Sequence, residues 1–505
     1  MAQSAKQSEL IRTKLNNYGR LDILVDDIDY NDSNIVETLN KMLAFHRSNS
    51  ADIQTLWDTY TGKQAILNRI KEVRPEICNK IVENHAAEIV NFKTGFTFGE
   101  PVQYVYRGES EYNNNASDDN SIGLLNEIMD MLDKSTQDRE LAEWFYICGL
   151  AYRMVLPETG EDGIDIQPYV CDPRYTFVAK TADYRRKPKL AVTYNCVQGD
   201  SKLTNDQKTQ YSVYSDNHYW LIVDGEIKQS QDIVTGIPII EYRLAPSRQG
   251  CFEAVLPLLD ALNNMSSNRM DGVEQIIQNF IWFNNCEVDE EKLEQLKDKG
   301  AIQTRSTNGN QANIQILTTN LDQQQSQTYV DYVYQMVLTI AAVPDRKASA
   351  GGNTGQALVI GQGWTGAESA AKAMELEFKA AEKRFLRNAL KLLSVSPEYG
   401  SRLANLTISD IDIKFTRNKT DNLLTKTQGL MNQLEAGVHP RIAIANCGLY
   451  SDPEQVYLDS QEYLEKWKVQ EQTANVPDNL DGELEQIMSM LDTSANPDKN
   501  GGDVA

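Results

Sequence analysis

The stretch from Phe252 to Leu393 leaves the fold least freedom, because it reads as two long helices and a shorter partner interrupted only by a small insert and a glycine-rich loop. Apolar residues at Val255, Leu259, Leu262, Met265, Val273, Ile276, Ile277 and Phe280 recur at helical spacing. At a rise of 1.5 Å per residue they keep one stripe apolar for about 45 Å. A shorter helix follows, with Tyr329, Val333, Met336, Val337 and Ile340 on one face. Pro344 to Gly363 is then a loop, with five glycines between Gly351 and Gly363. The third helix opens at a capping box formed by Thr365 and Glu368. It runs through Ala367, Ala371, Met374, Phe378, Phe385, Leu386 and Leu393 without a breaker. Helices this long suit a stalk or a ring of packed helices better than a compact enzyme core.

The rest of the chain reads as material hung on that frame. Residues 1–50 are polar and acidic, with helix-like patches at Leu10–Leu15 and Ile35–Phe45. Residues 51–105 read as a turn and then a long helix, with Trp57, Tyr60, Ile66 and Leu67 preceding Ile77, Ile81, Val82 and Ile89–Val90 at helical spacing and a break at Gly95. Gly99-Glu100-Pro101 turns the chain into the strand Val102–Tyr106. The polar loop Gly108–Ser121 then leads to helices at Ile122–Leu132 and Thr136–Leu150. From Ala151 to Leu244 the period drops to two, giving strands at Tyr152–Leu156, Asp165–Val170, Tyr175–Ala179, Leu190–Asn195, Tyr211–Ser215 and Tyr219–Val223. Val223-Asp224-Gly225-Glu226 is a two-residue hairpin turn, since Asp-Gly tolerates positive φ at both positions.

Within the long-helix region, the insert Phe283–Asn320 reads as a short acidic helix, Asp289–Lys297, and two strands, Ala301–Thr304 and Asn313–Leu317. So small a piece cannot hold its own core and is expected to pair with a neighbouring copy. Ile408–Phe415 is a strand, and Thr420–Trp467 is helical with breaks near Gly437–Pro440 and Asn446–Pro453. The tail 471–505 has eight acidic residues against one lysine and reads as flexible, with one short amphipathic helix at Leu480–Leu491. The fold class that follows is α+β, mainly helical.

At 505 residues the chain has length for several cores, and its formal net charge is −23. That charge opposes tight nonspecific binding of nucleic acid or anionic membrane, though not DNA held by geometry that must slide without sticking. Seven cysteines are scattered with no CxxC pair, which points to reduced thiols in a cytoplasmic setting. The start, MAQSAKQSEL, has no signal-peptide character, and no window approaches a membrane span.

Signals for chemistry are weak. Asp27–Asn31 resembles the start of a calcium loop, but Asp32 stands where glycine is needed and Thr38 where a bidentate acid is needed. Gly361-Gln362-Gly363-Trp364-Thr365-Gly366 matches GxGxxG, yet its helix is too long for a dinucleotide site and Glu382, near the ribose-acid position, falls inside it. No Walker loop, nucleophile elbow or metal-ligand spacing among His46, His85, His218 and His439 occurs. No enzyme and no cofactor is expected.

Four ordered stretches carry a family resemblance. The first is Tyr60-Thr61-Gly62-Lys63 with Asn79-Lys80-Ile81-Val82-Glu83-Asn84 and Lys93-Thr94-Gly95-Phe96-Thr97-Phe98-Gly99-Glu100-Pro101-Val102. The second is Gly149-Leu150-Ala151-Tyr152 with Asp172-Pro173. The third is Ile237-Pro238-Ile239-Ile240-Glu241-Tyr242, running on to Asp260-Ala261-Leu262-Asn263-Asn264, Asn268-Arg269 and Glu274. The fourth is Pro344-Asp345 with Thr354-Gly355-Gln356-Ala357-Leu358. Together they resemble the portal proteins of long-tailed phages of Gram-positive bacteria. One departure is local: Val359–Trp364 is neutral and glycine-rich where the family often has lysines.

The resemblance implies a ring of about twelve copies around a channel for double-stranded DNA. It implies a stem at 254–283 and 322–343, in which Val273, Ile276, Ile277, Phe280, Val333 and Val337 pack between subunits. It implies a clip at 284–321, where Glu290, Glu291 and Glu294 would meet the terminase large subunit and later the head-tail adaptors. It implies a channel loop at 344–363 whose Arg346, Lys347, Asn353, Thr354 and Gln356 would face DNA. Residues 1–253 and 364–419 would form an α+β wing with the long helix, and 420–470 the helical crown. Scaffold and major capsid protein would be further partners, with no membrane. The rival readings are a non-channel structural scaffold and a nucleotide-dependent enzyme using the Gly361–Gly366 loop.

Overall fold

Where β-branched and aromatic residues alternate the chain forms sheets, and where apolar residues recur every three or four it forms helices. The computed structural model describes residues 12–72, 74–107, 118–158, 160, 163–198, 207–277, 280–284, 313–317, 323–345, 363–417, 423–450, 456–461 and 463. They fall into two units, Met1–Asn418 and Lys419–Ala505.

In the first unit the order is β1 (Ile23–Val25), α1 (Ile35–Tyr60), a 3-10 turn (Ala65–Asn68), α2 (His85–Phe98), β2 (Gln103–Tyr106), α3 (Asp118–Met131) and α4 (Lys134–Cys148). Strands β3 (Leu150–Leu156), β4 (Gln167–Cys171), β5 (Thr176–Thr181), β6 (Pro188–Gln198), β7 (Gln207–Tyr214), β8 (His218–Val223), β9 (Glu226–Asp232) and β10 (Ile239–Arg243) follow. Then come α5 (Leu256–Ile277), β11 (Phe280–Asn284), β12 (Asn313–Leu317), α6 (Gln323–Ile340), α7 (Trp364–Leu393), α8 (Gly400–Leu403) and β13 (Ile411–Lys414).

A six-stranded sheet runs β1-β5-β6-β7-β8-β9, antiparallel except for the β1–β5 pair. Its hairpin at Asp224-Gly225 has positive φ at both residues, as the Asp-Gly turn requires. The N-terminal half of α1 covers one face, with Ile35, Leu39, Met42 and Leu43 against Phe177, Leu190, Val192, Val213 and Trp220. A three-stranded sheet, β10-β3-β4, lies beside it, and β13 pairs with β2. Gly149, the left-handed cap of α4, lets the chain turn into β3. A Cβ there would sit 2.2 Å from the Arg248 carbonyl oxygen, so only glycine fits.

Several expected boundaries move. Instead of one long helix breaking at Gly95, α1 ends at Tyr60, residues 69–72 and 74–84 are non-helical, and α2 begins at His85. Phe280 is not on the first long helix: α5 stops at Ile277, and Phe280 pairs with Leu317 in the β11–β12 ribbon. The third long helix has no capping box, because it starts at Trp364 with Gly363 as its cap and Glu368 pairs with Arg417 instead. No helix among the described residues is long and apolar enough to cross a membrane.

Two irregular segments are held by side chains rather than by a ladder. In the first, the N–H groups of Thr13, Asn16, Asn17, Gly19 and Leu21 donate to Asp260, Asp52, Asp52, Glu253 and Asn49 at 2.6–3.0 Å. Backbone donors removed from water need such partners. Arg20 closes this segment with a fully buried ion pair to Glu253. The second, residues 74–84, lies along α5 through Asn79, Ile81 and Glu83.

The second unit contains α9 (Leu423–Glu435) and α10 (Pro440–Cys447). The His439 ring accepts from the Arg441 N–H at the start of α10, and Lys426 donates to the Gly448 carbonyl just past its end.

Candidate functional site

Helices α5 and α6 pack together and lead to Pro344, where the segment to Gly363 begins. Along α5, Asn263, Ser267 and Asp271 sit one turn apart and are buried polar residues. They accept the N–H groups of Glu83, Ile81 and Asn79 at 2.7, 3.0 and 2.8 Å. The match is metric: four helical residues rise about 6 Å, and two extended residues about 6.6 Å. The extended strap therefore steps along the polar face of α5 two residues per turn. Asp271 also holds Arg69 and Lys71, at 2.9 and 3.0 Å. Burial pushes its carboxyl up, but the Asn79 N–H and these cations keep it below its usual value. The motifs Asn79–Asn84 and Asp260–Arg269 are thus two sides of one interaction.

Helix α6 docks through Val330, Val333, Val337 and Leu338, which are buried in the main core with Leu259, Leu262, Met374 and Phe378. Val333 and Val337, expected between subunits, are therefore interior to the subunit. Tyr334 reaches α2, where its hydroxyl donates to Glu88 at 3.0 Å and its ring lies 4.6 Å from His85. Burial disfavours a charged His85, yet Glu83 and Glu88 flank it and raise its pKa to about 9.

Among the described residues, the opposite face of α6 is exposed. Tyr329, Tyr332, Met336 and Ile340 are 59, 57, 36 and 52 % exposed and follow one another at i, i+3, i+7 and i+11. The other exposed positions beside them include Gln327, Thr328, Gln335 and Thr339, and a charge nearby, half-buried Asp331, accepts from Gln327 at 2.9 Å. Periodicity alone puts Tyr329, Met336 and Ile340 with the buried valines.

After α6 the chain turns through Ala341–Val343 to Pro344. A Cβ on Gly363 would lie 3.9 Å from the Pro344 Cα, so the loop leaves and returns at one point. Trp364 anchors the return, 5.9 Å from the rings of Phe92 and Phe96 on α2. Arg346, Lys347, Asn353, Thr354 and Gln356 lie outside the described residues, as do Glu290, Glu291 and Glu294. Val273 is half-buried on α5, and Ile276 and Ile277 form its end.

Helix α7 crosses the core through a buried charge network that sequence reasoning missed. Glu382, fully buried, accepts from Tyr104 and Tyr242 at 2.5 and 2.6 Å and pairs with Lys134 at 2.9 Å and Arg153 at 3.4 Å. Asp138 pairs with the same two cations, so two acids meet two bases. Burial would raise the Glu382 pKa, but Lys134 and Arg153 hold it at about 2.

Residues considered for chemistry have structural partners instead. Asp27 pairs with Arg185 and Lys189, and Asp32 accepts from Trp220 and Ser230. His46 is buried against the Arg174 carbonyl, and His218 lies between Asp232 and Ser230. Among the described residues, no cluster of His, Cys, Asp and Glu could hold a metal ion, and Cys78, Cys148, Cys171, Cys251 and Cys447 are free.

These pieces lie within one match: the family model for phage portal proteins of the SPP1 Gp6-like type covers residues 39–476. The chain belongs to that family. No curated protein matches the chain. The portal family is a structural one, and membership gives the chain a phage portal role in the virion. It also implies, in general terms, an oligomeric ring that works with DNA, capsid and terminase. Several portal motifs read from sequence now have locations, in the strap, its ladder on α5, the Gly149 turn and Pro344 at the base of the loop, whereas Thr354–Leu358 lies outside the described residues.

Proposed function

We propose that copies of this chain close into a ring around a channel for double-stranded DNA at one capsid vertex. Within the ring, α5 and α6 form the stem. The observation that carries the reading is the exposed face of α6. Its exposed stripe is aromatic and apolar, as interface cores are, and it leads directly into a loop whose two ends meet. A subunit in a ring needs two different surfaces that join with a rotation that closes, and this face is one of them. Val273, Ile276 and Ile277 extend the contact along α5.

On this reading 284–321 is the clip, and its Glu290, Glu291 and Glu294 meet the terminase large subunit and then the head-tail adaptors. Residues 1–253 and 364–419 form the wing, 420–470 the crown and 471–505 an acidic tail. Scaffold and major capsid protein hold the ring in the shell, and the chain assembles in the host cytoplasm. The chain does no catalysis and needs no cofactor.

The channel loop, with Arg346, Lys347, Asn353, Thr354 and Gln356, touches passing DNA. Repeated around the ring, Arg346 and Lys347 form a narrow positive band, and phosphate contacts of that kind weaken readily with salt. Changing both to alanine is expected to leave rings intact while lowering the DNA packaged or retained per head several-fold. Wild-type packaging and retention in the double variant would show the loop to be a plain connection.

A further inference from the structure

Helix α7 separates its charges by face. Its four acids all have partners within the subunit: Glu368 and Glu375 pair with Arg417, Glu377 with Arg243, and Glu382 with Lys134 and Arg153. Its six cations are Lys372, Lys379, Lys383, Arg384, Arg387 and Lys391. At 3.6 residues per turn they fall within a sector of about 140°, and the four acids fall outside it.

That sector is the solvent face. Lys372, Arg384, Arg387 and Lys391 are exposed, Lys379 and Lys383 partly so, and the small exposed residues Ser369, Ala373 and Ala380 fill the gaps. From Lys372 to Lys391 it runs about 28 Å. Lys372 touches Glu368 at 3.7 Å, and Lys391 donates to the Val234 carbonyl. No ion pair engages Lys383, Arg384 or Arg387 among the described residues. Lys414 on β13 adds a cation beside Lys379, with Asp412 as the nearby acid. Burial together with Lys414 and Lys383 pulls the Lys379 pKa down, with Asp412 partly offsetting, as expected where positive charge is crowded.

A row of cations, with Lys383, Arg384 and Arg387 in no ion pair among the described residues, on a chain of net charge −23 calls for a partner with dense, linear negative charge. Two surfaces of this subunit differ in kind. The outer face of α6 has the aromatic anchors of a protein interface, with Tyr329, Tyr332, Met336 and Ile340 exposed. The outer face of α7 has charge but no aromatic residue, and Leu376 is its one large apolar side chain.

We propose that the outer face of α7 is a sequence-independent contact surface for the phosphate backbone of double-stranded DNA. The inference rests on the portal reading for its ligand but not for its residues. The remaining acidic surface does not forbid it, since charges more than about 10 Å away are screened at ordinary salt.

The test is a salt titration of full-length protein against a fluorescent mixed-sequence duplex of about 30 base pairs. It compares wild type with the triple variant Lys383→Gln, Arg384→Gln, Arg387→Gln. Glutamine is a good helix former, and these side chains make no ion pair in the described fold. Losing three phosphate contacts should shrink the affinity lost between 50 and 200 mM salt by about forty-fold. An unchanged salt slope, or no wild-type binding at low salt, overturns the proposal. So does a triple variant that loses its rings while its subunits keep wild-type DNA affinity, because the face would then join copies. Absence of rings in wild type would instead strike the portal assembly, and the titration would still decide the α7 contact.

Discussion

Replacing Glu382 by alanine is expected to destabilise the first unit by about 3–5 kcal/mol, the usual cost of removing one partner from a buried charge pair. Lys134 and Arg153 would share only Asp138, and the hydroxyls of Tyr104 and Tyr242 would lose their acceptor. Since whole domains are stable by roughly 5–15 kcal/mol, much of the protein would be unfolded near its working temperature. Glu382→Gln keeps the shape and removes the charge, so it should fall close to the alanine variant. Leu376→Ala, on the exposed face of the same helix, should change stability by less than about 0.5 kcal/mol.

The same network sets an acid limit. With the Glu382 carboxyl held at about 2 against an ordinary 4.5, its contribution is complete above 4.5 and is lost as pH falls toward 2. Urea midpoints across that range check both statements. A Glu382→Ala loss below about 1 kcal/mol would mean that the network is solvated in the working protein.

The double variant Tyr332→Asp, Met336→Asp should fold as a subunit and fail to form rings. Both side chains are exposed on the isolated subunit, so the substitutions open no cavity in it. In a ring they would bury two unpaired carboxylates at every junction, each costing several kcal/mol. Native mass spectrometry should find low-mass species with unchanged circular dichroism. Val333→Asp gives the contrast, because Val333 is interior and its loss should unfold the subunit itself. Full rings in the Tyr332/Met336 variant would remove α6 from the junction.

How far these elements are legible in the sequence depends on whether their partners are local. The strands from Leu150 to Val223 and the Asp224-Gly225 turn are written in alternation and turn chemistry, which need no distant residue. Helix α7 is readable because one apolar stripe runs its whole length. The strap at 74–84 is not, because Ile77 and Ile81 mimic helical spacing while the N–H groups of Asn79 and Ile81 answer to side chains on α5. Phe280 follows the helical stripe with no glycine or proline just before it, so nothing local announces the change to strand. On α6 nearly every face carries large apolar residues, and only tertiary packing separates buried Val333 and Val337 from exposed Tyr329 and Tyr332. Glu382 looks in sequence like any helix glutamate, because four of the groups that hold it as an ion, Tyr104, Lys134, Arg153 and Tyr242, lie far away along the chain.

Electron micrographs of the purified full-length protein decide whether its copies close around a channel. Closed rings of uniform copy number are expected in end-on views, with a central hole wide enough for a DNA duplex and the paired helices α5 and α6 around it. Monomers, open filaments or closed particles without a hole, at concentrations where portal rings persist, would contradict that assembly.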